Sequence, residues 1–322
     1  MGETKVDFAA RVREAFGRIK ADIERTPFEY SESWSRELGA EVFVKWECDQ
    51  TTGSFKLRGA LNKLRTLSEE DKRRGVVSAS TGNHGLAISR ASRLEGVDLK
   101  LFLPETVAPV KKERIEALGV DVEVRGASCD RSEALAREFA ARTGRVFVSP
   151  YNDWDIVFGA GTLGLELAEE PARFDDVLVP VGGGGLIAGT AGVLKALRPG
   201  VRIIGVEPET SAFMAASLAA GRLVDIDERE TIADAVAGGI EPGAITFPLC
   251  RDLVDAIEVV PEGLIARGLA RVEAAHGRMV EGAGALPFAA LLRDPGKRAG
   301  RTVVAVVSGG NISPERFRAL VG

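Results

Sequence analysis

The sequence predicts an α/β protein made of two doubly wound domains with mostly parallel sheets. Short apolar runs bounded by turn residues alternate with longer amphipathic segments along most of the chain, which is the pattern of strand–helix–strand units. The chain has 322 residues, enough for about two domains. Because 45% of the residues are hydrophobic and 28% are charged, we expect a large folded core rather than a disordered chain.

The first element is an amphipathic helix near the N-terminus. Phe8, Val12, Phe16 and Ile19 recur at helical spacing and predict a helix over residues 6–24. The runs expected to form strands are 41–46, 75–80, 98–104, 120–126, 145–150, 176–181, 201–207 and 302–308. Helical segments follow most of them, so right-handed crossovers would cover a parallel sheet on both faces.

Four closely spaced units between residues 71 and 149 predict a small inserted α/β domain. The segments 1–70 and 150–322 are then expected to form the larger domain, which would bind the cofactor proposed below. No Pro- or Ser-rich linker marks the boundaries, so this division follows from the spacing of the units alone.

Composition excludes several classes of function. The net charge of −5, with both signs interleaved, argues against nucleic acid as a partner. Three distant cysteines without a CxxC pair, and only two histidines, make a zinc site improbable and are typical of reduced cytoplasmic thiols. The N-terminal stretch lacks the apolar core of a signal peptide, and the longest apolar run is too rich in glycine for a membrane span.

Lys56 lies in the stretch TTGSFKLRGA, at the predicted start of a helix. Gly53 and Ser54 are turn or N-cap residues, and Phe55 is a large apolar neighbour. The partial positive charge of a helix start lowers the pKa of a nearby ammonium, and a lysine with a lowered pKa attacks carbonyl groups. The alternative is a solvated surface lysine, as we expect for the other lysines.

Because ligands of doubly wound sheets bind at the carboxyl ends of strands, unusual residues there are candidates for a site. The stretch SASTGNHG, 78–85, follows a predicted strand and offers small polar side chains at a helix start, which suits a carboxylate. A well-capped helix with an Asx turn is an equally good interpretation. His84 is either a general base or a residue that shapes the loop, and His276 is expected to be an ordinary helix-end residue.

The stretch PVGGGGLIAGT, 180–190, predicts a phosphate-binding loop, because consecutive glycines let several main-chain amides converge on one anion. No GK[ST] follows, so it is not a Walker loop. A dinucleotide site is the rival interpretation, with Glu207 near a ribose hydroxyl. The stretch VVSGGN, 306–311, ends the last predicted strand, where Ser308 either faces a ligand or belongs to a plain turn.

The motifs GSFKLRGA, STGNHG, VGGGGL and SGGN, in this order, resemble those of the serine/threonine dehydratase family of pyridoxal phosphate enzymes, which includes serine racemase. RTPFEYS, 25–31, and EGAGALPFAA, 281–290, resemble two further segments of that family, so the likeness spans nearly the whole chain. The resemblance implies a fold like that of the tryptophan synthase β subunit and pyridoxal 5'-phosphate as the cofactor. Unlike the nucleotide hypothesis, it gives a role to Lys56 and to STGNHG.

The resemblance also implies roles for single residues. Lys56 would bind the cofactor aldehyde and then move the substrate α-proton. The other cofactor contacts would come from Phe55 near the ring, Asn83 at the 3-hydroxyl, Gly182, Gly183, Gly184, Gly185 and Leu186 at the phosphate, and Ser308 at the pyridine nitrogen. The substrate carboxylate would contact Ser80, Thr81, Gly82 and His84.

The activity implied is removal of water and ammonia from a threonine- or serine-type amino acid, which yields a 2-oxo acid. Thr81 stands where the family's racemases carry a serine base, so a racemase is an alternative, with Thr81 as a second catalytic residue. Trp154 and Ala235 replace a proline and a glycine of the family pattern, which leaves another substrate such as 3-hydroxyaspartate open.

Glu207 matches the first acid of the family's cation site, but Phe213 stands at the second position, so no metal is predicted. The expected partners are a small amino-acid substrate and a second copy of the chain, in a cytoplasmic homodimer without nucleic acid or membrane.

Overall fold

The computed structural model describes residues 6–107 and 109–322. Its larger sheet has the strand order β1-β2-β10-β7-β8-β9, in which β1 is antiparallel to β2 and all other neighbours are parallel. These strands are β1 (Phe28–Tyr30), β2 (Glu41–Trp46), β7 (Asp176–Pro180), β8 (Arg202–Pro208), β9 (Ala256–Val260) and β10 (Thr302–Val307).

The smaller sheet is parallel throughout, with the order β5-β4-β3-β6. Its strands are β3 (Val76–Ala79), β4 (Leu99–Leu103), β5 (Asp121–Val124) and β6 (Val146–Phe147). They all lie inside the segment 71–149 that the spacing of the units assigns to a small domain. The division into two domains stays a prediction, and its residues 1–5 and 108 lie outside the described part of the chain.

Helices follow most of the strands. In chain order they are α1 (Phe8–Ile19), α2 (Glu32–Leu38), α3 (Lys56–Thr66), α4 (Glu69–Arg74), α5 (Asn83–Glu95), α6 (Pro109–Glu116), α7 (Cys129–Thr143), α8 (Trp154–Glu169), α9 (Gly185–Leu197), α10 (Phe213–Ala220), α11 (Thr246–Leu253), α12 (Glu262–His276), α13 (Gly282–Arg293) and α14 (Pro314–Val321). No helix in the described ranges is long and apolar enough to cross a membrane.

Alternation along β10 shows how the larger sheet is covered. Val303 and Val307 pack into a core with α12 and α13, whereas Val304 and Val306 pack into a second core with α1, α8 and α9. Because successive strand residues point to opposite faces, a strand that is apolar throughout must be buried on both sides. The predicted doubly wound α/β class is therefore confirmed.

The boundaries of several elements differ from prediction. The first helix occupies Phe8–Ile19 instead of 6–24, since the Asp7 side chain accepts the Ala10 N–H at its start and a turn closes after Ile19. The run 145–150 contributes only β6. The short strands β1 and β9 were not predicted, although Asp255 and Pro261 bound β9 as turn residues commonly do.

Helix α3 joins the two sheets. Leu57, Leu61 and Leu64 are fully buried in the same apolar cluster as Val76 and Leu101 of the smaller sheet. The helix begins at Lys56, so the packing that fixes α3 also fixes the position of that lysine.

Candidate active site

The segments around residues 54 and 309 lie side by side, although 255 positions separate them. Ser54 and Gly309 form an isolated antiparallel bridge, the Phe55 N–H donates to the Ser308 carbonyl at 3.1 Å, and the Gly310 N–H donates to the Gly53 carbonyl at 2.9 Å. This pairing brings the start of α3 to the end of β10. Lys56 and Ser308 therefore face one cavity, as predicted from their motifs.

The cavity lies at the carboxyl ends of β7 and β10. It is lined by Phe55, Lys56, Asn83, Tyr151, Pro180, Gly182, Gly183, Gly184, Gly185, Leu186, Ala235, Val236, Glu281, Ala283 and Ser308. All the residues predicted to contact a cofactor are in this lining. The structure thus brings together the lysine, the glycine run and the serine that the sequence separates widely.

Lys56 has its amine at the cavity wall. Its Nζ donates a hydrogen bond to the Pro150 carbonyl at 2.9 Å and lies 5.0 Å from the centre of the Phe55 ring. Burial lowers the pKa of Lys56 to about 8, and the charge of Glu281 opposes this shift. A substantial fraction of the amine is therefore neutral near physiological pH, which a nucleophile requires.

The glycine run forms another wall of this cavity, at the start of α9. Gly184 has φ +86°, a backbone conformation that favours glycine. A Cβ on Gly183 would lie 2.4 Å from the Tyr151 ring, so the run has no room for side chains. The first N–H groups of a helix have no partner within it, and the four-glycine turn presents them to the cavity as an anion site.

Asn83 and Ser308 supply polar groups between these two walls. Asn83 is 8% exposed and its Nδ2 donates to Glu281 Oε1 at 2.6 Å. Ser308 is 4% exposed and follows β10 directly. The cavity therefore combines an amine, an anion-binding helix start, an amide and a neutral hydroxyl, which suits a phosphorylated carbonyl compound.

The predicted carboxylate loop lies next to the cavity but does not line it. Ser80, Thr81 and Gly82 are half-buried and precede α5, whose first residue, Asn83, reaches the cavity. The Gly82 N–H donates to Ser80 Oγ at 3.2 Å, which makes a compact turn. A bound carboxylate could thus reach the helix start, while these side chains remain outside the cavity wall.

His84 does not face the cavity. Its Nε2 lies 3.0 Å from Ser78 Oγ, and that hydroxyl donates its only proton to the Val148 carbonyl at 2.8 Å. Ser78 must therefore accept from a protonated Nε2. Burial, followed by the Lys56 charge, lowers the pKa of His84 to about 3, so it stays neutral. This geometry favours the loop-shaping interpretation over a general base.

Sequence reasoning did not single out Tyr151 and Glu281 as site residues. Glu281 lies in EGAGALPFAA, a stretch that resembles the family pattern. Tyr151 lies in PYNDWD, a stretch that departs from that pattern at Trp154. The Tyr151 hydroxyl accepts the Glu241 N–H at 2.9 Å, which holds its ring against the glycine run.

Glu207 lies behind the glycine run, outside the cavity lining. Its two carboxylate oxygens accept the N–H groups of Met214 and Ala215 at 2.9 and 2.7 Å. Burial raises the pKa of Glu207 to about 7, against the effect of these two bonds. The described residues contain no group of three His, Cys, Asp or Glu side chains that could hold a metal ion. Glu207 is 1% exposed, which does not suit a contact with a ribose hydroxyl.

A pocket of this kind, at the strand ends of a doubly wound fold, defines an α/β enzyme that holds a phosphorylated aldehyde on a lysine. Comparison with known proteins agrees with this class. The model of the family of pyridoxal-phosphate dependent enzymes matches residues 19–309, and the chain belongs to that family. The predictions of the fold and of pyridoxal 5'-phosphate as the cofactor are confirmed.

Three individual proteins show this similarity in more detail. The chain is 38% identical to an L-threonine ammonia-lyase of Thermotoga maritima over 301 residues, 94% of this chain and 75% of that protein. It is 37% identical to the catabolic L-threonine dehydratase TdcB of Escherichia coli, over 96% of this chain and 94% of that protein. The structure of maize serine racemase is similar with a TM-score of 0.90 and 34% identity, over 96% of each chain. The predicted resemblance to the serine/threonine dehydratase family is thereby confirmed.

The residues present fit this cofactor. A Cβ on Gly182, Gly183 or Gly184 would collide with Val236, the Tyr151 ring or Met214 respectively, so only glycine fits this anion-binding turn. The lysine amine stands across the same cavity, with its pKa lowered to about 8 by burial.

Proposed function

We propose that this protein is a pyridoxal-phosphate dependent ammonia-lyase that converts a threonine- or serine-type L-amino acid to a 2-oxo acid and ammonia. The observation that carries the proposal is the position of Lys56, whose partly neutral amine shares one cavity with the glycine run and Ser308. Relatives named for threonine ammonia-lyase or dehydratase activity, at 37–38% identity over nearly the whole chain, support it.

The residues predicted to contact the cofactor keep their roles in this proposal. Phe55 would pack beside the cofactor ring, Asn83 would donate to its 3-oxygen and Ser308 would meet its pyridine nitrogen. The phosphate would be held by the main chain of Gly182, Gly183, Gly184, Gly185 and Leu186. The bound cofactor supplies an electron sink that makes the substrate α-proton acidic. Every one of these residues lines the cavity, which is the support for the assignment.

Lys56 moves the proton. With pyridoxal 5'-phosphate bound, Lys56 would hold the cofactor, and its Nζ would be the base for the substrate α-proton. The Pro150 carbonyl, 2.9 Å from Nζ, keeps the amine at the cavity wall, and Glu281 lies close enough to influence its charge. A pKa of about 8 places the amine near the value that suits proton transfer at neutral pH.

Ser308 favours elimination over amino-group transfer. A neutral hydroxyl at the pyridine nitrogen does not force ring protonation, as a carboxylate would. Ser308 would thereby restrain the electron sink that the cofactor supplies, which favours loss of the substrate β-hydroxyl group.

The substrate carboxylate is proposed to bind at the start of α5, through Ser80, Thr81, Gly82 and His84. Main-chain N–H groups at this helix start favour an anion. The His84 side chain is buried against Ser78, so its contribution is its main-chain N–H and the shape of the loop. Thr81 is half-buried beside the cavity, and a racemase in which its hydroxyl acts as the second base is the alternative function. The similarity to the structure of maize serine racemase supports this alternative function.

A substrate with an acidic side chain suits this cavity less well. Lys56 is the one cationic side chain in the cavity lining of the described chain, and it is occupied with the reacting centre. A second carboxylate, as in 3-hydroxyaspartate, would share this cavity with the Glu281 carboxylate. Threonine and serine need no such partner.

The test is a comparison of kcat/KM for L-threonine, L-serine and threo-3-hydroxyaspartate, with the 2-oxo acid and the D-amino acid both assayed. We expect 2-oxo acid from threonine or serine, and none from the Lys56→Ala variant. A preference for 3-hydroxyaspartate would overturn the substrate assignment. D-amino acid formed faster than 2-oxo acid would support the racemase, and protein that takes up no pyridoxal 5'-phosphate would contradict both.

We also propose that the protein works in the cytoplasm as a homodimer. Cys48 and Cys250 are free thiols in the structure, and Cys250 is buried, which suits a reducing compartment. Light scattering of the purified holoenzyme at several concentrations checks the dimer, and a monomer mass throughout would exclude it.

A further inference from the structure

Two asparagine side chains contact each other at the edge of the cavity. Asn311 Nδ2 donates to Asn83 Oδ1 at 2.7 Å and to the Thr52 carbonyl at 2.8 Å. Asn83 Nδ2 donates to Glu281 Oε1 at 2.6 Å, and Arg114 Nη2 donates to Asn311 Oδ1 at 3.0 Å. Asn83 lines the cavity, whereas Asn311 does not.

The partners fix which end of each amide is the oxygen. A side-chain amide has nearly the same shape after a flip, so its orientation follows from its hydrogen bonds. The Glu281 carboxylate and the Thr52 carbonyl accept, and the Arg114 guanidinium donates. These contacts of Asn83 and Asn311 agree with one arrangement, in which Asn83 Oδ1 accepts a hydrogen bond from Asn311 Nδ2.

Asn83 is therefore held in the orientation in which its Nδ2 group is the donor. Its Nδ2 carries two hydrogens, and the bond to Glu281 uses one of them. The other is available to a group in the cavity that accepts a hydrogen bond. An oxyanion is the strongest acceptor of this kind.

Two glycines leave the space that this arrangement requires. A Cβ on Gly53 would lie 2.6 Å from Asn311 Oδ1, and Gly53 has φ +74°. A Cβ on Gly309 would lie 2.4 Å from Glu281 Oε1 and 3.1 Å from Asn83 Nδ2. The turn before Lys56 and the SGGN motif thus both leave room for the side-chain amides of Asn83 and Asn311.

We propose that Asn311 is a positioning residue that acts through Asn83 and fixes its amide as a hydrogen-bond donor to the 3-oxygen of the bound cofactor. The inference rests on the proposed function, since it concerns the same cofactor. Asn311 makes no contact with the cavity itself, so its effect passes through Asn83.

The test compares two ligands that form no bond with Lys56. Pyridoxine 5'-phosphate has the 3-hydroxyl but no aldehyde, and its 3-deoxy analogue lacks that hydroxyl. Affinities for both are measured by calorimetry on the apoprotein of the wild type, Asn311→Asp and Asn311→Ala. We expect the wild type to prefer the 3-hydroxylated ligand by about tenfold or more, the scale of one charge-assisted hydrogen bond. Asn311→Asp should lower this preference, because a carboxylate cannot donate to Asn83 Oδ1 and Glu281 alone is then left to hold the amide in its donor orientation.

Ser313→Ala is the matched control, since it lies in the same loop. The Ser313 hydroxyl accepts the Arg316 N–H at 3.2 Å at the start of α14, so the variant disturbs the loop without touching Asn83. It should keep the preference for the 3-hydroxylated ligand. If both Asn311 variants weaken the two ligands by the same factor, Asn311 has a structural role only and the inference is wrong.

The two proposals fail in different ways. A wild-type protein that binds neither ligand contradicts the proposed function. A wild type that shows the preference, together with folded Asn311 variants that retain it, contradicts only the role of Asn311. Asn311→Ala decides the question if Asn311→Asp does not fold, because it removes the same donor without adding a charge.

Discussion

Lys56 combines two properties at the scale of a single residue. Its amine is buried enough for its pKa to fall to about 8, yet it lines a cavity that a ligand can enter. At pH 7 about a tenth of such an amine is neutral, against well under a thousandth for a lysine of ordinary pKa. The helix start and the apolar neighbour indicated this in the sequence, whereas burial is the larger cause in the structure.

The pH dependence of cofactor uptake follows from this value. Covalent capture of pyridoxal 5'-phosphate by the apoprotein requires the neutral amine of Lys56. The rate of capture should therefore rise with pH and reach half of its maximum at about pH 8. The measurement is the rate of the borohydride-trapped mass adduct across pH 6 to 10. Lys63→Ala is the control on the same helix, because Lys63 pairs with Asp153 at 2.6 Å and should leave the midpoint unchanged. A midpoint above about 10 would mean that Lys56 is an ordinary lysine.

Gly184 shows how one backbone position shapes the anion site. A Cβ there would lie 2.9 Å from Met214 Cε, in addition to the cost of φ +86°. We expect Gly184→Ala to lower the free energy of unfolding by about 1–2 kcal/mol and to weaken pyridoxal 5'-phosphate binding about tenfold or more. Gly221→Ala is the control, since Gly221 has φ +69° with nothing within 4 Å of an added Cβ. Equal loss of cofactor affinity in the two variants would contradict this role.

At the scale of elements, α3 is anchored by four buried charges. Arg58 donates to Glu47 Oε2 at 2.7 Å and to Glu166 Oε1 at 2.6 Å, and Lys45 donates to Glu166 Oε2 at 2.6 Å. None of these side chains is more than 1% exposed. The two positive and two negative charges balance, and they join β2, α3 and α8. Because Arg58 lies two residues after Lys56, this network also fixes the first turn of α3.

Arg58→Met should be strongly destabilising, because it leaves two buried carboxylates with one cation. We expect the free energy of unfolding to fall by about 3–5 kcal/mol, measured with chemical denaturant. Arg65→Met on the same helix breaks pairs with Asp22 and Glu95 that are partly exposed, and it should cost about 1 kcal/mol or less. Similar losses of unfolding free energy in both variants would show that burial of the ion pair does not determine how much its removal destabilises the protein.

At the scale of the whole molecule, contacts beyond α3 connect the smaller sheet with the strand-end loops of the larger one. Arg137 of α7 donates to Glu241 Oε2 at 2.6 Å, and the Glu241 N–H donates to the Tyr151 hydroxyl at 2.9 Å. Ser149 Oγ donates weakly to Glu241 Oε1, at 3.4 Å. The loop around Glu241 therefore ties α7 to the residues that line the cavity.

Glu241→Gln should loosen this connection. We expect faster amide hydrogen exchange in residues 149–152 and a loss of less than about 1 kcal/mol in unfolding free energy, since the pair is partly exposed. Glu133→Gln is the control, because it removes the other partner of Arg137 within α7 and leaves Glu241 in place. Unchanged exchange in Glu241→Gln would show that the ion pair does not hold the loop.

Sequence patterns predicted most strands because fully buried parallel strands are apolar throughout. They missed β1, which has only three residues, and overextended the first helix, whose end is set by a turn rather than by a change in hydrophobicity. The candidate cofactor residues were found because glycine runs, a lysine at a helix start and a strand-end serine are local features. Tyr151 was missed because its ring is placed by the main chain of residue 241, which no local pattern reveals.

The sequence by itself determined the α/β class and pointed to Lys56 and the glycine run as candidates, because each depends on residues near one another in the chain. The tertiary structure alone decided how these features meet. Asn83 contacts Glu281 and Asn311 across 198 and 228 residues, and these contacts choose which end of its amide faces the cavity. The physical reason is that hydrogen-bond polarity and burial depend on neighbours in space, whereas periodicity and backbone preference depend on neighbours in the chain.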